Sequence, residues 1–171
     1  VLEASNQIRL LEPWHGNLGK RVVKTPKIYF CDTGLLAWIL GLGAEGLPSS
    51  PFLGPLWETA VYGELRREIA VSGLNRQLYY YRDNAGVEVD FLVLGEGSRL
   101  VECKWTAAPR PEDARGLERL TRLARESGSP DLVDPRAAIV CRAEGGRELE
   151  VSGLRVAVRG LGEVPQLLAA R

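Results

Sequence analysis

"GVEVDFLV" (Gly86–Val93) and "LVECKW" (Leu100–Trp105) decide how this chain is read. Both are apolar enough for β-strands, yet both carry charges in mid-strand, where Asp, Glu and Lys are depleted. The short link "GEGS" (Gly95–Ser98) between them predicts an antiparallel hairpin. Side chains alternate along a strand. On 87–94 this puts Val87, Val89, Phe91 and Val93 on one side, and Glu88, Asp90, Leu92 and Leu94 on the other. On the second strand Val101, Cys103 and Trp105 share a side, opposite Leu100, Glu102 and Lys104. The apolar rows coincide only if Asp90 and Glu102 share the other face. A one-residue slip would send Glu102 and Lys104 among apolar side chains. Simple pairing through the four residues 95–98 sets Asp90 opposite Cys103, the wrong parity. An odd-length loop, or a β-bulge within 86–105, is therefore expected.

Same-face pairing gathers Glu88, Asp90, Glu102 and Lys104. Two like charges ~4 Å apart at an effective dielectric of ~20 cost about 4 kcal/mol. Lys104 offsets part of that, and a divalent cation would offset more, since it prefers clustered carboxylate oxygens. Two readings stand at this point: a solvated sheet face with one Glu–Lys pair, and a cation site.

Composition narrows the class. The 171 residues suit about one domain, with 45% apolar and 26% charged residues, as in a globular protein. Basic and acidic residues balance at 22 each, so bulk charge is no route to nucleic acid, while a local basic patch remains open. No apolar run approaches the ~20 residues of a membrane span. The three cysteines, Cys31, Cys103 and Cys141, lack zinc or disulfide spacing, which fits a reducing cytoplasm. His15 is the only histidine, which excludes poly-histidine metal sites within the chain and leaves a Ser-His-Asp triad without support. With no methionine and Val1 first, the chain reads as a fragment of a longer one.

Along the chain, 5–11 and 26–30 read as two strands around the basic loop "EPWHGNLGKRVVKT". Asp32 caps a short helix, and 43–55 is loop. A long helix is expected from about Pro55 to Ser72, with Gly73 past its end and Trp57, Val61, Leu65 and Ile69 as its core stripe. Strands follow at 77–82, 87–94 and 99–105, and then a helix at about 111–126 on Leu117, Leu120, Leu123 and Ala124. A strand at 137–142, strand-like residues 148–158 and a helix at about 163–170 complete it. The order from Pro55 onward is αβββαβ, an α/β (α+β) fold with a mixed sheet and helices on it. Glu58, in the expected first turn, borders the buried stripe with Tyr62, Leu65 and Ile69. Helix-dipole stabilisation alone would account for a first-turn glutamate.

Glutamate on the first helix, aspartate on a strand and Glu-x-Lys on the next strand resembles the PD-(D/E)xK nuclease superfamily, the restriction-endonuclease-like fold. The matching positions are Glu58, Asp90, Glu102 and Lys104, with Val89 where the eponymous proline would stand. The resemblance implies that Asp90, Glu102 and Glu58 hold Mg²⁺ or Mn²⁺, with Glu88 outside the ligand set. It implies that Lys104 orients or activates water. "LLEPWHGNLGKRVVKTPKIYFCDTGLL", "GPLWETAVYGELRRE", "YYYRDNAGVEVDFLV" and "LVECKW" are also similar to the domain of unknown function that follows the ATPase core and a winged helix in many prokaryotic AAA+-type ATPases. No Walker A motif is present in these residues. On that resemblance, 1–42 ends a winged-helix region with a hairpin and short helix, and 55–171 is the nuclease-like domain.

Other features are weighed in the same way. Lys20, Arg21, Lys24 and Lys27 read either as a solvated loop or as a wing touching DNA phosphates. "CDTG" is read as a helix cap rather than a protease motif, and Tyr79–Tyr81 as strand packing. Two functions follow: a metal-dependent DNA nuclease domain, or a non-catalytic module that binds DNA, a partner protein or the ATPase itself. Residues 1–30 are expected to stand outside the nuclease-like core, with their hairpin on the helix near Thr33, a poorly ordered tip at Lys20 to Lys27, and a tendency to dimerise.

Overall fold

The computed structural model describes residues 1–16, 18 and 22–169. Strands β1 (Ile8–Leu11) and β2 (Lys27–Phe30) pair antiparallel, with Ile8 opposite Phe30. Helix α1 (Thr33–Ile39) starts on Asp32, whose carboxylate accepts the Leu35 N–H at 2.8 Å, so Asp32 is a cap. Helix α2 (Leu53–Ser72) ends at Gly73, which takes the left-handed conformation (φ 67°) that closes helices. Strands β3 (Arg76–Arg82), β4 (Glu88–Gly95) and β5 (Arg99–Cys103) form a meander. A 3₁₀ turn at Pro111–Ala114 leads into α3 (Arg115–Ser127), which crosses to β6 (Arg136–Val140). Strands β7 (Arg147–Val151) and β8 (Leu154–Arg159) and helix α4 (Val164–Leu168) follow.

Six strands make one mixed sheet in the order β3-β4-β5-β6-β8-β7, parallel at β5–β6 and β6–β8 and antiparallel elsewhere. Helices cover both faces. On one face Leu117, Leu120 and Ala124 of α3 pack with Val89, Leu92, Leu100, Ile139 and Val156. On the other, Val61, Tyr62 and Leu65 of α2, with Val164 and Leu168 of α4, pack on Phe91, Val93, Val101 and Val140. The expected stripes of both long helices are thus the stripes that are buried. Helix α2 begins two residues before Pro55, and the expected 148–158 segment divides at Ser152–Gly153, where both residues have positive φ and reverse the chain.

The β4–β5 register pairs Phe91 with Val101 and Val93 with Arg99, leaving an odd loop, 94–98, between the last pair. The pairing stops at Phe91–Val101, so Asp90 lies beyond the last paired residue of β4. The expected face assignment of β4 needs correcting. Val87 and Val89 pack with Leu92 and Leu94, whereas Phe91 and Val93 pack on the opposite face. The cause is a β-bulge against β3. Tyr79 pairs with Leu92 and Tyr81 with Val89, so Asp90 and Phe91 together face the single residue Tyr80. Alternation resets there.

A second correction concerns residues 1–30, several of which are built into the core. Leu11 and Tyr29 belong to the cluster under α2, and Trp14 and Leu18 to the cluster under α3. Tyr29 stacks on Tyr62 at 4.2 Å between ring centres. Between the two strands, Pro13 bridges Tyr80 and Val22 bridges Asp83, so the segment runs along the edge strand β3. That covers one open edge of the sheet.

Candidate functional site

The bulge in β4 aims Asp90 at the side of the sheet covered by α2. Its Oδ2 accepts the Cys103 N–H at 2.9 Å, just past the last paired residues of β4 and β5. Glu102 lies in β5, and its Oε1 is 2.9 Å from Lys104 Nζ. Lys104 follows the strand and is fixed by its own N–H to the Val140 carbonyl at 3.0 Å. Glu58 projects from α2. Because that helix starts at Leu53, Glu58 lies beyond the first turn, and the dipole explanation for it falls away. Glu58, Glu88, Asp90, Glu102, Cys103 and Lys104 line one cavity of ≈ 420 Å³ with Trp105 at its rim. Four carboxylates from three elements therefore converge, as the strand charges suggested.

A second lysine stands among them. Lys27 Nζ lies 3.0 Å from Glu58 Oε1, 3.0 Å from Glu88 Oε1 and 3.6 Å from Asp90 Oδ1. The Tyr29 hydroxyl donates to the same Glu58 oxygen. Lys27 is thus an inner-face residue of β2 and not part of a solvated basic loop. The signal for it was the alternation in "KIYF": Tyr29 is buried, Lys27 shares its parity, and Ile28 between them is 62% exposed. Of the other loop bases, Lys24 is exposed, while Lys20 and Arg21 lie outside the described residues.

Burial sets the proton affinities. Asp90 is held above the ordinary carboxylate range by burial and then by the Glu58 charge, against the pull of Lys27 and the Cys103 amide. Glu102 is pushed up by burial and then by Asp90, with Lys104 opposing. Its second oxygen, Oε2, is buried without a hydrogen-bond partner. Burial alone would lower Lys27, but Glu58, Asp90 and Glu88 outweigh it and raise the ammonium above its usual value. Lys104 is raised in the same way by Glu102. Burial raises the Cys103 thiol, with Asp90, Glu58 and Glu102 adding to it, so Cys103 stays protonated and is no nucleophile at neutral pH. At the rim, Trp57 donates its indole N–H to the Val140 carbonyl at 3.1 Å and meets Trp105 edge-on at 5.2 Å, with Arg142 4.6 Å over the Trp105 ring.

The donor set is all oxygen, carries more carboxylates than ammoniums and includes an unpartnered buried carboxylate oxygen, which is chemistry suited to Mg²⁺ or Mn²⁺. Among the described residues no three Asp, Glu, His or Cys side chains are drawn together as a metal cage. Lys27 stands between the acids instead.

A family profile for a domain of unknown function (DUF4143) matches residues 53–149, more than half of the chain and every acid of the cavity. The chain belongs to that family. A second profile, also for a domain of unknown function (DUF8612), matches residues 1–46. Two uncharacterized proteins are 38% identical over 104 residues, Rv2008c of Mycobacterium tuberculosis (strain ATCC 25618 / H37Rv) and Mb2031c of Mycobacterium bovis (strain ATCC BAA-935 / AF2122/97). The match covers 60% of this chain and 23% of each relative. In DUF4143 terms, the site draws its acids from the matched region and Lys27 from the region matched by the other profile. No helix of the described residues is long and apolar enough to cross a membrane.

Proposed function

We propose that the cavity is the active site of a metal-dependent nuclease domain that hydrolyses phosphodiester bonds of DNA. The observation that carries this reading is the convergence of Glu58, Asp90, Glu102 and Lys104, from a helix and adjoining strands, on one cavity with an unsatisfied carboxylate oxygen. The element order αβββαβ around them, with β5 and β6 parallel across α3, supports the restriction-endonuclease-like assignment. Asp90 and Glu102, with Glu58, would hold Mg²⁺ or Mn²⁺, and the ion would supply Lewis-acid stabilisation of the phosphate charge. Lys104, anchored by its backbone and held against Glu102, would orient the attacking water and steady the developing negative charge. Exposed Lys24 and the neighbouring bases would contact phosphates. The relatives extend well beyond the aligned stretch, which leaves room for ATPase and winged-helix parts in a longer cytoplasmic protein that presents the DNA.

A second reading is favoured by Lys27. An ammonium already paired with Glu58, Glu88 and Asp90 suits a non-catalytic module that binds DNA or a protein partner for the ATPase. Cleavage assays on the full-length protein with Mg²⁺ or Mn²⁺ separate the two. Metal-dependent cleavage that is lost at least a hundredfold in Lys104→Ala and Asp90→Asn, with melting retained, is the expected result. DNA binding without cleavage, at any metal concentration, would establish the second reading instead.

A further inference from the structure

We infer that Lys27 is a constituent of this site that competes with the divalent cation for its carboxylates, so that the N-terminal hairpin governs metal entry. The inference rests on the metal-dependent reading above. Its observations are geometric. Lys27 has three N–H donors, and three carboxylates from α2 and β4 surround them at 3.0, 3.0 and 3.6 Å. The Tyr80 ring lies 5.2 Å from the same nitrogen. Two positions along β2, Tyr29 is buried, stacked on Tyr62, and bonded to the oxygen of Glu58 that Lys27 also contacts. The ammonium is therefore held where it is by strand, ring and acids together.

The acids are divided mainly between the two lysines, with Arg82 Nε also 3.7 Å from Glu88. Lys104 pairs with Glu102, and Lys27 with Glu58, Glu88 and Asp90. Glu58 and Asp90 are the oxygens a divalent cation would need, so the two cations exclude one another there. Glu88 is different. It stands outside the ligand set and its side chain is 37% exposed, so it can keep Lys27 paired once Glu58 and Asp90 turn to a metal. Competition of this kind is reciprocal: metal binding loosens the Lys27 ammonium from Glu58 and Asp90, and removal of that ammonium tightens metal binding.

The test uses the full-length protein and Mn²⁺ alone. Calorimetry should give Mn²⁺ binding at least tenfold tighter in Lys27→Met than in wild type, with Lys27→Arg and the exposed control Arg119→Met unchanged. Equal or weaker binding in a folded Lys27→Met protein overturns the inference and leaves the metal-dependent reading standing. A wild-type readout covers the case in which the variant does not fold. Acetic anhydride labelling, quantified by mass spectrometry, should show Lys27 acylated several-fold faster with Mn²⁺ bound than without it. Unchanged labelling in protein that demonstrably binds Mn²⁺ overturns it as well. Absence of Mn²⁺ binding in wild type and all variants defeats the metal-dependent reading, and the inference with it.

Discussion

Asp90 shows what a charge in mid-strand costs and what it provides. Its carboxylate and that of Glu102 are both raised by burial, so the folded chain holds their protons more tightly than the unfolded chain does. Such groups contribute stability that is fully present below the ordinary carboxylate value, near pH 4, and lost as pH climbs through the raised values. Lys27 and Lys104 are raised too, so their contribution persists throughout that interval and disappears only in strong alkali. The metal-free protein is therefore expected to melt lower at about pH 8 than at about pH 5. Asp90→Asn keeps an oxygen to accept the Cys103 N–H but removes one buried charge. It should stabilise the metal-free fold at neutral pH by on the order of 1–2 kcal/mol and flatten the pH slope. Thermal melts of both proteins across that range check it, and an unaltered slope would show that Asp90 carries no such cost. The acids were legible because charges in strands are rare. Lys27 was not, because its neighbours in sequence, Lys20, Arg21 and Lys24, suggest a solvated loop, and its partners lie far along the chain.

At the scale of elements, periodicity located both long helices and strands β3 to β6, but it ran β7 and β8 together as 148–158 and could not place the bulge. Alternation read straight through Asp90–Phe91 puts Val89 and Phe91 on one face. The structure separates them, because β3 supplies one residue where β4 supplies two. A bulge belongs to a pair of strands, and one strand's sequence holds no record of its partner's count. The bulge lets Asp90 and Phe91 face α2 together, one lining the site and the other its adjoining core. Gly116 fixes the opposite face. A Cβ at Gly116 would lie 2.1 Å from the Glu88 carbonyl oxygen, so α3 rests against the backbone of β4 where the site begins. Gly116→Ala should cost about 1–3 kcal/mol through forced separation of α3 and β4. Denaturant unfolding checks this, and a loss within the few tenths expected of a surface change would mean that the helix shifts freely.

For the whole molecule, two family profiles meet between residues 46 and 53, yet packing crosses that boundary. Leu11 and Tyr29 enter the core on one side of the sheet, and Trp14 enters it on the other, so the N-terminal segment clasps the β3 edge. The sequence suggested a separable wing because a long polar loop joins two short strands, and the anchoring aromatics are single residues without a repeat. Tyr29 stacks on Tyr62 and tilts against Phe91 at 5.7 Å. Trp14 tilts against Tyr81 at 6.0 Å and donates its indole N–H to Asp131 at 3.2 Å. Truncating either should cost about 3–5 kcal/mol, the range for buried aromatics replaced by alanine. The two residues sit in different clusters on opposite faces, so the losses in Tyr29→Ala and Trp14→Ala should add within about 0.5 kcal/mol in the double variant. Each variant should also unfold in one transition, because the segment belongs to both cores and cannot detach without exposing them. Calorimetric scans check both points. A separable wing predicts the opposite: a low-temperature step for residues 1–30, followed by a main transition at the wild-type temperature.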